Sequence, residues 1–298
     1  MRREASPGRG PLRLKARLSA GFPVLSWVAA AFALLAALPA VSGAGAGTAP
    51  LPRLSISIAA GSITVSGAAD SGGIDIVTSA ASSLKEPSTV LVRLRPGVTV
   101  EGLLAYLAAN RTGNPDTIDR YGSIVLDREA SPGGTVETET SLLPGTYVAL
   151  DGEGEKSSTW SHTSFTVGAS VAGPPLPVPR AVELMVGHSF RGPRRLRRGE
   201  LVRFVNRAAV AHMDIAFRVR SRIAAERLAV DLLKGRERDA EKLVAGAPAN
   251  FAGALSSGAE QQETITAAPG WYVQACFLET RGRLNTRLGM ERVIRILS

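Results

Sequence analysis

The chain has 298 residues, with 35 Lys and Arg against 26 Asp and Glu, three histidines and one cysteine. A single cysteine excludes an intrachain disulfide framework, so any core must hold by burial alone. The formal charge of +9 does not mark a nucleic-acid binder. Its densest basic run, "RGPRRLRR" from Arg191 to Arg198, has no aromatic residue interleaved.

Residues 1–44 carry basic residues from Arg2 to Arg17, an apolar stretch from Phe22 to Val41, and then small residues in "AVSGAGAG". That order is expected of a secretory signal peptide, with cleavage near Ala44 or Ala46. The alternative is a retained anchor, since about 20 apolar residues can just span a bilayer. Membrane contact is therefore expected only through this segment if it stays uncleaved. Without it the formal charge falls to about +4, as six basic residues and one acidic residue leave with residues 1–44. The rest is uneven: residues 45–174 hold 8 basic and 13 acidic side chains, residues 175–298 hold 21 and 12. Such a split suggests two domains with different surfaces.

Residues 45–52 read as a linker to a first domain, residues 53–168. "LSISIAAGSITVSG" and "GGIDIVTSA" alternate apolar and polar residues, as half-buried strands do. After the strand "STVLVRLRPG" the period changes: Val100, Leu103, Leu104 and Leu107 share a helical face, with Thr99 as N-cap. "GGTVETETSLLPGTYVAL" then reads as strand, turn and strand. A proline-rich spacer, residues 169–180, is expected to be extended and stiff.

Residues 181–298 repeat the plan. "VELMVGHSF", "GELVRFVNRA" and "HMDIAFRVR" are expected strands. A helix follows over "RIAAERLAVDLLKG", with Ile223, Leu228, Leu232 and Val230 turned inward and Gly235 ending it. Pro144–Gly145–Thr146–Tyr147 matches Pro269–Gly270–Trp271–Tyr272, which sets Asp151 against Cys276; sliding the preceding strands sets Thr89 against His212. A period of about 125 residues is a duplicated domain rather than a solenoid.

With "GELVRFVNRAAVAHMDIAF", "PGWYVQACF" and "NTRLGMERVIRIL" in view, the second half resembles the cupredoxin-like, blue-copper β-sandwich. Both halves resemble a variant of it in exported bacterial proteins, with a helix inserted after a "VLVRLRPGVT"-type strand. The resemblance implies a mainly β chain of two Greek-key sandwiches, each with a short helical insertion. It also implies copper ligands at His212, Cys276 and Met290, with Asn285 standing where the family has its second histidine. Type-1 copper uses a thiolate, two imidazoles and a weak thioether, so the expected site is degenerate. His162 and His188 lie outside the ligand loops, and the first half keeps no ligand set. A His162–Asp151 pair is the one metal candidate there.

No Gly-x-Ser-x-Gly elbow, His-Glu-x-x-His pair, phosphate loop or dinucleotide fingerprint occurs, so no enzymatic activity is expected. The expected role is extracytoplasmic, binding or structural, with an envelope or protein partner that these residues do not specify and no nucleic acid. No cofactor is expected except copper in the second domain, which would make the chain a weak copper-binding or copper-handling protein. A further alternative is an accessory domain of an envelope redox system.

Overall fold

The structure is a computed structural model that describes residues 50–109, 115–152, 160–168 and 173–298. The expected signal segment, residues 1–44, lies outside the described residues. In chain order the first half comprises β1 (Arg53–Ala59), β2 (Ser62–Gly67), β3 (Gly72–Ala80), β4 (Ser88–Leu94) and helix α1 (Val100–Ala109). A 3-10 turn (Pro115–Arg120), β5 (Gly122–Glu129), β6 (Thr135–Leu142), β7 (Gly145–Asp151) and β8 (His162–Val167) complete it. The second half begins with β9 (Ala181–Val186), β10 (Ser189–Arg191), β11 (Arg195–Arg197), β12 (Leu201–Asn206) and β13 (His212–Val219). Helices α2 (Arg222–Leu233) and α3 (Glu237–Glu241) precede β14 (Ala249–Leu255), β15 (Glu260–Thr264) and β16 (Gly270–Ala275). A hairpin of β17 (Glu279–Thr280) and β18 (Arg283–Leu284), a 3-10 turn (Asn285–Leu288) and β19 (Glu291–Leu297) end the chain.

Each half is a two-sheet sandwich with one strand order. In the first half the sheets run β2-β1-β3-β6 and β5-β4-β7-β8; in the second, β10-β9-β12-β15 and β14-β13-β16-β19, with β11 added beyond β19. β1 pairs in parallel with β3, and its counterpart β9 with β12. Helices occupy the equivalent place in each half, after β4 and after its counterpart β13. The fold class is the expected one.

Local chemistry repeats as well. Tyr147 donates its hydroxyl to the Leu143 carbonyl at 2.8 Å, and Tyr272 donates to Ala268 at 2.7 Å. Each tyrosine lies opposite an arginine, Arg93 or Arg218. Those arginines reach back to the Pro144 and Pro269 carbonyls. These pairs fix the true correspondence between the halves. Arg93 matches Arg218, so Thr89, opposite Asp151 in the ladder, matches Asp214 and not His212. The correspondence of Thr89 with His212 expected from the sequence is therefore off by two residues. A slip of two keeps every side chain on its face, which hid the error.

The halves share one sheet. β6 and β15, equivalent strands, pair antiparallel through Thr140 opposite Gln261 and Glu139 opposite Gln262, so an approximate two-fold relates the sandwiches. The second sheets meet along β5 and β14: Ser256 donates its backbone N–H to the Ile124 carbonyl at 2.9 Å, and Asp127 accepts from the Ala254 N–H at 2.8 Å. The proline-rich segment is bound to this structure where it is described. Gly73 donates to the Pro174 carbonyl at 2.7 Å, and Arg203 and Gln262 both donate to Pro177 O.

Thr99 caps α1, accepting from the Gly102 N–H at 3.1 Å. In α2 the expected face is corrected. Ala225, Leu228 and Leu232 are buried, whereas Ile223 is 78% and Val230 42% exposed. At about 100° per residue, positions 223 and 230 lie roughly opposite the buried stripe, so both point to solvent. Among the described residues no helix is long and apolar enough to cross a membrane.

Candidate metal centre

β13, β16 and β19 are neighbours in one sheet. His212 opens β13, Cys276 follows the last residue of β16, and Met290 precedes the first of β19. Because β16 runs antiparallel to both neighbours, these three positions meet at one end of the second sandwich. All three are buried.

The loop from Cys276 to Met290 folds back on itself. Asn285 N donates to the Leu278 carbonyl at 2.9 Å, Met290 N to the Asn285 carbonyl at 2.9 Å, and Cys276 N to the Met290 carbonyl at 3.2 Å. Gly289 closes the 3-10 turn in the left-handed region at φ 92°, a conformation that glycine adopts without a Cβ penalty. This brings the Asn285 side chain inward. Its Nδ2 lies 3.3 Å from His212 Nδ1 and 3.4 Å from Cys276 Sγ, while those two atoms are 3.6 Å apart. The Thr280 hydroxyl donates to Asn285 Oδ1 at 2.8 Å on the other side of the amide. Met213 N also donates to Cys276 Sγ, at 3.5 Å.

Electrostatics match this closed arrangement. Burial pushes the Cys276 thiol up to about 11, so the sulfur is protonated at neutral pH. Burial also lowers His212 to about 4, assisted by His188 and opposed by the Gly187 carbonyl. The imidazole is neutral, with Nδ1 accepting from the amide and Nε2 carrying the proton.

A type-1 copper centre does not fit these residues. The donor set needs a second imidazole, and in its place an amide N–H2 points at the atoms that would bind metal. The amide oxygen, the only atom of that group able to ligate, accepts from Thr280. His212, Cys276 and Met290 remain a set of one imidazole and two soft sulfur donors, acceptable to copper(I). Among the described residues no three His, Cys, Asp or Glu side chains cluster as a metal site.

The first half holds less. Asp151 is buried at the cysteine-equivalent position and Thr89 lies opposite it. His162 pairs with Leu150, and successive strand residues face opposite sides. His162 and Asp151 therefore point away from one another, which removes the expected candidate pair.

Two features around the centre were not read from the sequence. The His188 ring, at the turn between β9 and β10, stands edge-on to His212 with centroids 6.1 Å apart. The other is a buried polar chain one layer deeper in the sandwich. Asp214, Gln274 and Arg292 lie two positions inward from His212, Cys276 and Met290, on the same sheet face. Gln274 donates to Asp214 Oδ2 at 2.6 Å, and Arg292 Nε donates to Gln274 Oε1 at 3.0 Å. The Arg292 guanidinium also pairs with Glu183 of the facing sheet. The register-equivalent residues of the first half, Thr89, Ala149, Thr163 and Ile56, are uncharged. The first half also steadies the entrance to β13: Asp116 accepts from the Ala211 N–H at 2.6 Å.

No family model and no curated protein matches the chain. Among solved structures it is similar to dithionite-reduced auracyanin from Roseiflexus castenholzii, at 18% identity over 39% of this chain and 95% of that one, with a TM-score of 0.25. It is similar to a copper-containing nitrite reductase from Thermus scotoductus at 13% identity, over 83% of this chain and 67% of that one, TM-score 0.24. A multicopper oxidase matches at 11% identity over 82% of this chain and 88% of that one, TM-score 0.24. By its repeated strand order, and by the convergence of His212, Cys276 and Met290 at one end of the second sandwich, the chain is a tandem of two cupredoxin-like β-sandwiches.

Proposed function

We propose that this is an extracytoplasmic, non-catalytic binding or structural protein whose metal position has been taken over by the Asn285 amide. The observation that carries the reading is the 3.3 Å and 3.4 Å approach of Asn285 Nδ2 to His212 Nδ1 and Cys276 Sγ. One amide satisfies the two atoms that a metal would otherwise hold together. A protonated, fully buried thiol is a poor ligand and a poor nucleophile. The order of basic, apolar and small residues in 1–44 supports export, and the lack of catalytic motifs supports a role without chemistry.

A second reading, weak copper binding or handling, is favoured by one observation: His212 Nδ1 and Cys276 Sγ face each other at 3.6 Å. Copper(I) held there would be ligated by His212, Cys276 and Met290, with the Asn285 amide displaced. When bound it would supply a soft, redox-active cation, and this chain's residues would hold it away from water.

Metal retention after desalting separates the two readings. The chain from residue 45 onward, mixed with copper(I) or copper(II), is expected to keep less than stoichiometric metal and to show no thermal shift. One copper per chain with a raised Tm would replace the first reading with the second.

A further inference from the structure

The two outermost strands at the far end of the second half carry a run of arginines that pair with no Asp or Glu among the described residues, Arg197 donating only to the Ser298 carbonyl at 3.3 Å. β10 terminates the long sheet and β11 terminates the second sheet of that half. Arg191, Arg194, Arg195, Arg197 and Arg198 all lie exposed along this edge. Leu196 between them is fully buried in the core, so the strand anchors through one side chain and displays its cationic neighbours outward. Arg195 lies directly opposite Arg295 of β19 in the ladder. Like charges so placed destabilise a sheet, and none of these six side chains forms a salt bridge among the described residues. The fold thus sustains a repulsive edge that an external anion would relieve. The acidic half lies at the other end of the shared sheet, so the molecule is electrically polarised along its length.

We infer that this arginine edge docks the protein on an anionic phospholipid surface. The geometry selects that partner over other polyanions. The charges sit on an open sheet edge rather than in a groove, and single-stranded nucleic acids are held by grooves with free aromatic faces on which bases stack. The one aromatic ring in the row, Trp271, is covered by the Arg295 guanidinium, 5.3 Å from its centroid. Guanidinium groups pair with phosphate in bidentate fashion, and Arg195 and Arg197 share the face of β11 opposite the buried Leu196. This inference is independent of what occupies the metal position.

The test is co-sedimentation of the chain from residue 45 onward with vesicles of phosphatidylglycerol mixed into phosphatidylcholine, against pure phosphatidylcholine. Omitting residues 1–44 removes the apolar segment, which would bind both kinds of vesicle. Binding is expected only to the anionic vesicles, and is expected to vanish at high salt. Each arginine removed should weaken partitioning about fivefold, so the triple variant Arg194→Gln, Arg195→Gln, Arg197→Gln should lose on the order of a hundredfold. All three positions are exposed, so the variant should keep the Tm of the parent, and Arg222→Gln on α2 should bind nearly as well as the parent. Equal binding to both vesicle types overturns the proposal, as does undiminished binding by the triple variant. Capture by heparin beads with no binding to anionic vesicles also overturns it, since the ligand would then be a soluble polyanion.

Discussion

Asn285 reaches His212 across the loop that closes the second sandwich, its amide nitrogen 3.3 Å from the imidazole Nδ1. The same amide holds the Cys276 sulfur at 3.4 Å. One amide nitrogen thus links the imidazole and the thiol. The Thr280 hydroxyl holds the other end of that amide, at 2.8 Å from Asn285 Oδ1.

Cys276 is accordingly expected to be inert in the folded state. Its burial and its elevated pKa, about 11, suppress both access and thiolate formation. Labelling by a maleimide at neutral pH should track global unfolding, rising only through the denaturant transition. Rapid labelling under native conditions would show that the loop opens on its own.

The seam between the halves admits no side chain at Gly253. A Cβ there would stand 1.9 Å from the Asp127 carbonyl oxygen and 2.6 Å from its carbonyl carbon. Gly253→Ala should destabilise the protein by on the order of 3 kcal/mol, the upper end for overpacking. Gly102→Ala in α1, where a Cβ meets only Thr99 Oγ1 at 3.4 Å, should be neutral or stabilising. Urea midpoints of the two variants measure the contrast.

The Glu183–Arg292 pair crosses the sandwich interior between its two sheets. Removing only the cation by Arg292→Met leaves a buried carboxylate and strips Gln274 of its donor, with an expected cost of about 3–5 kcal/mol. Adding Glu183→Leu to that variant should recover most of the loss, since buried pairs often exchange for apolar residues at little net cost. A double-mutant cycle by denaturation gives the coupling directly.

The buried acids also set a pH dependence. Burial raises Glu183 to about 7, Glu263 to about 8 and Glu291 to about 7, from 4.5. The folded state therefore holds more protons than the unfolded state between about 4.5 and 8, and stability falls as pH rises through that window. His212 acts in the opposite direction: its folded value near 4 lies below 6.5, so stability falls as pH drops from 6.5 toward 4. Three raised acids outweigh the one lowered imidazole, so Tm should decline from about pH 5 to pH 8. A Tm that still climbs between pH 6 and 8 would place these acids elsewhere than in the core.

Much of this was legible in the sequence because it rests on local pattern. Strand alternation, the Thr99 cap and the repeated Pro-Gly turns marked a duplicated β plan, while the sandwich and the loop of Cys276, Asn285 and Met290 were what the cupredoxin resemblance implied. What escaped depends on contacts between distant strands. Nothing local in "VELMVGHSF" puts His188 beside His212, or marks Glu183 as the partner of Arg292. The pairing of β6 with β15 needs the two-fold, which no single segment encodes. Ile223 was misread because a mixed helix offers two apolar stripes, and only docking against the sheet selects one. The match of Thr89 to His212 is off by two because an even slip leaves the apolar–polar alternation unchanged.

The central claim is that Asn285, as the amide linking His212 and Cys276, is what separates this site from a blue-copper centre. The most direct test is the visible absorption of the parent and of Asn285→His, each with one equivalent of copper(II). The account predicts no intense thiolate-to-copper band in the parent and a strong one in the variant, where the second imidazole completes the donor set. An intense band in the parent, or none in a folded Asn285→His variant, would contradict it.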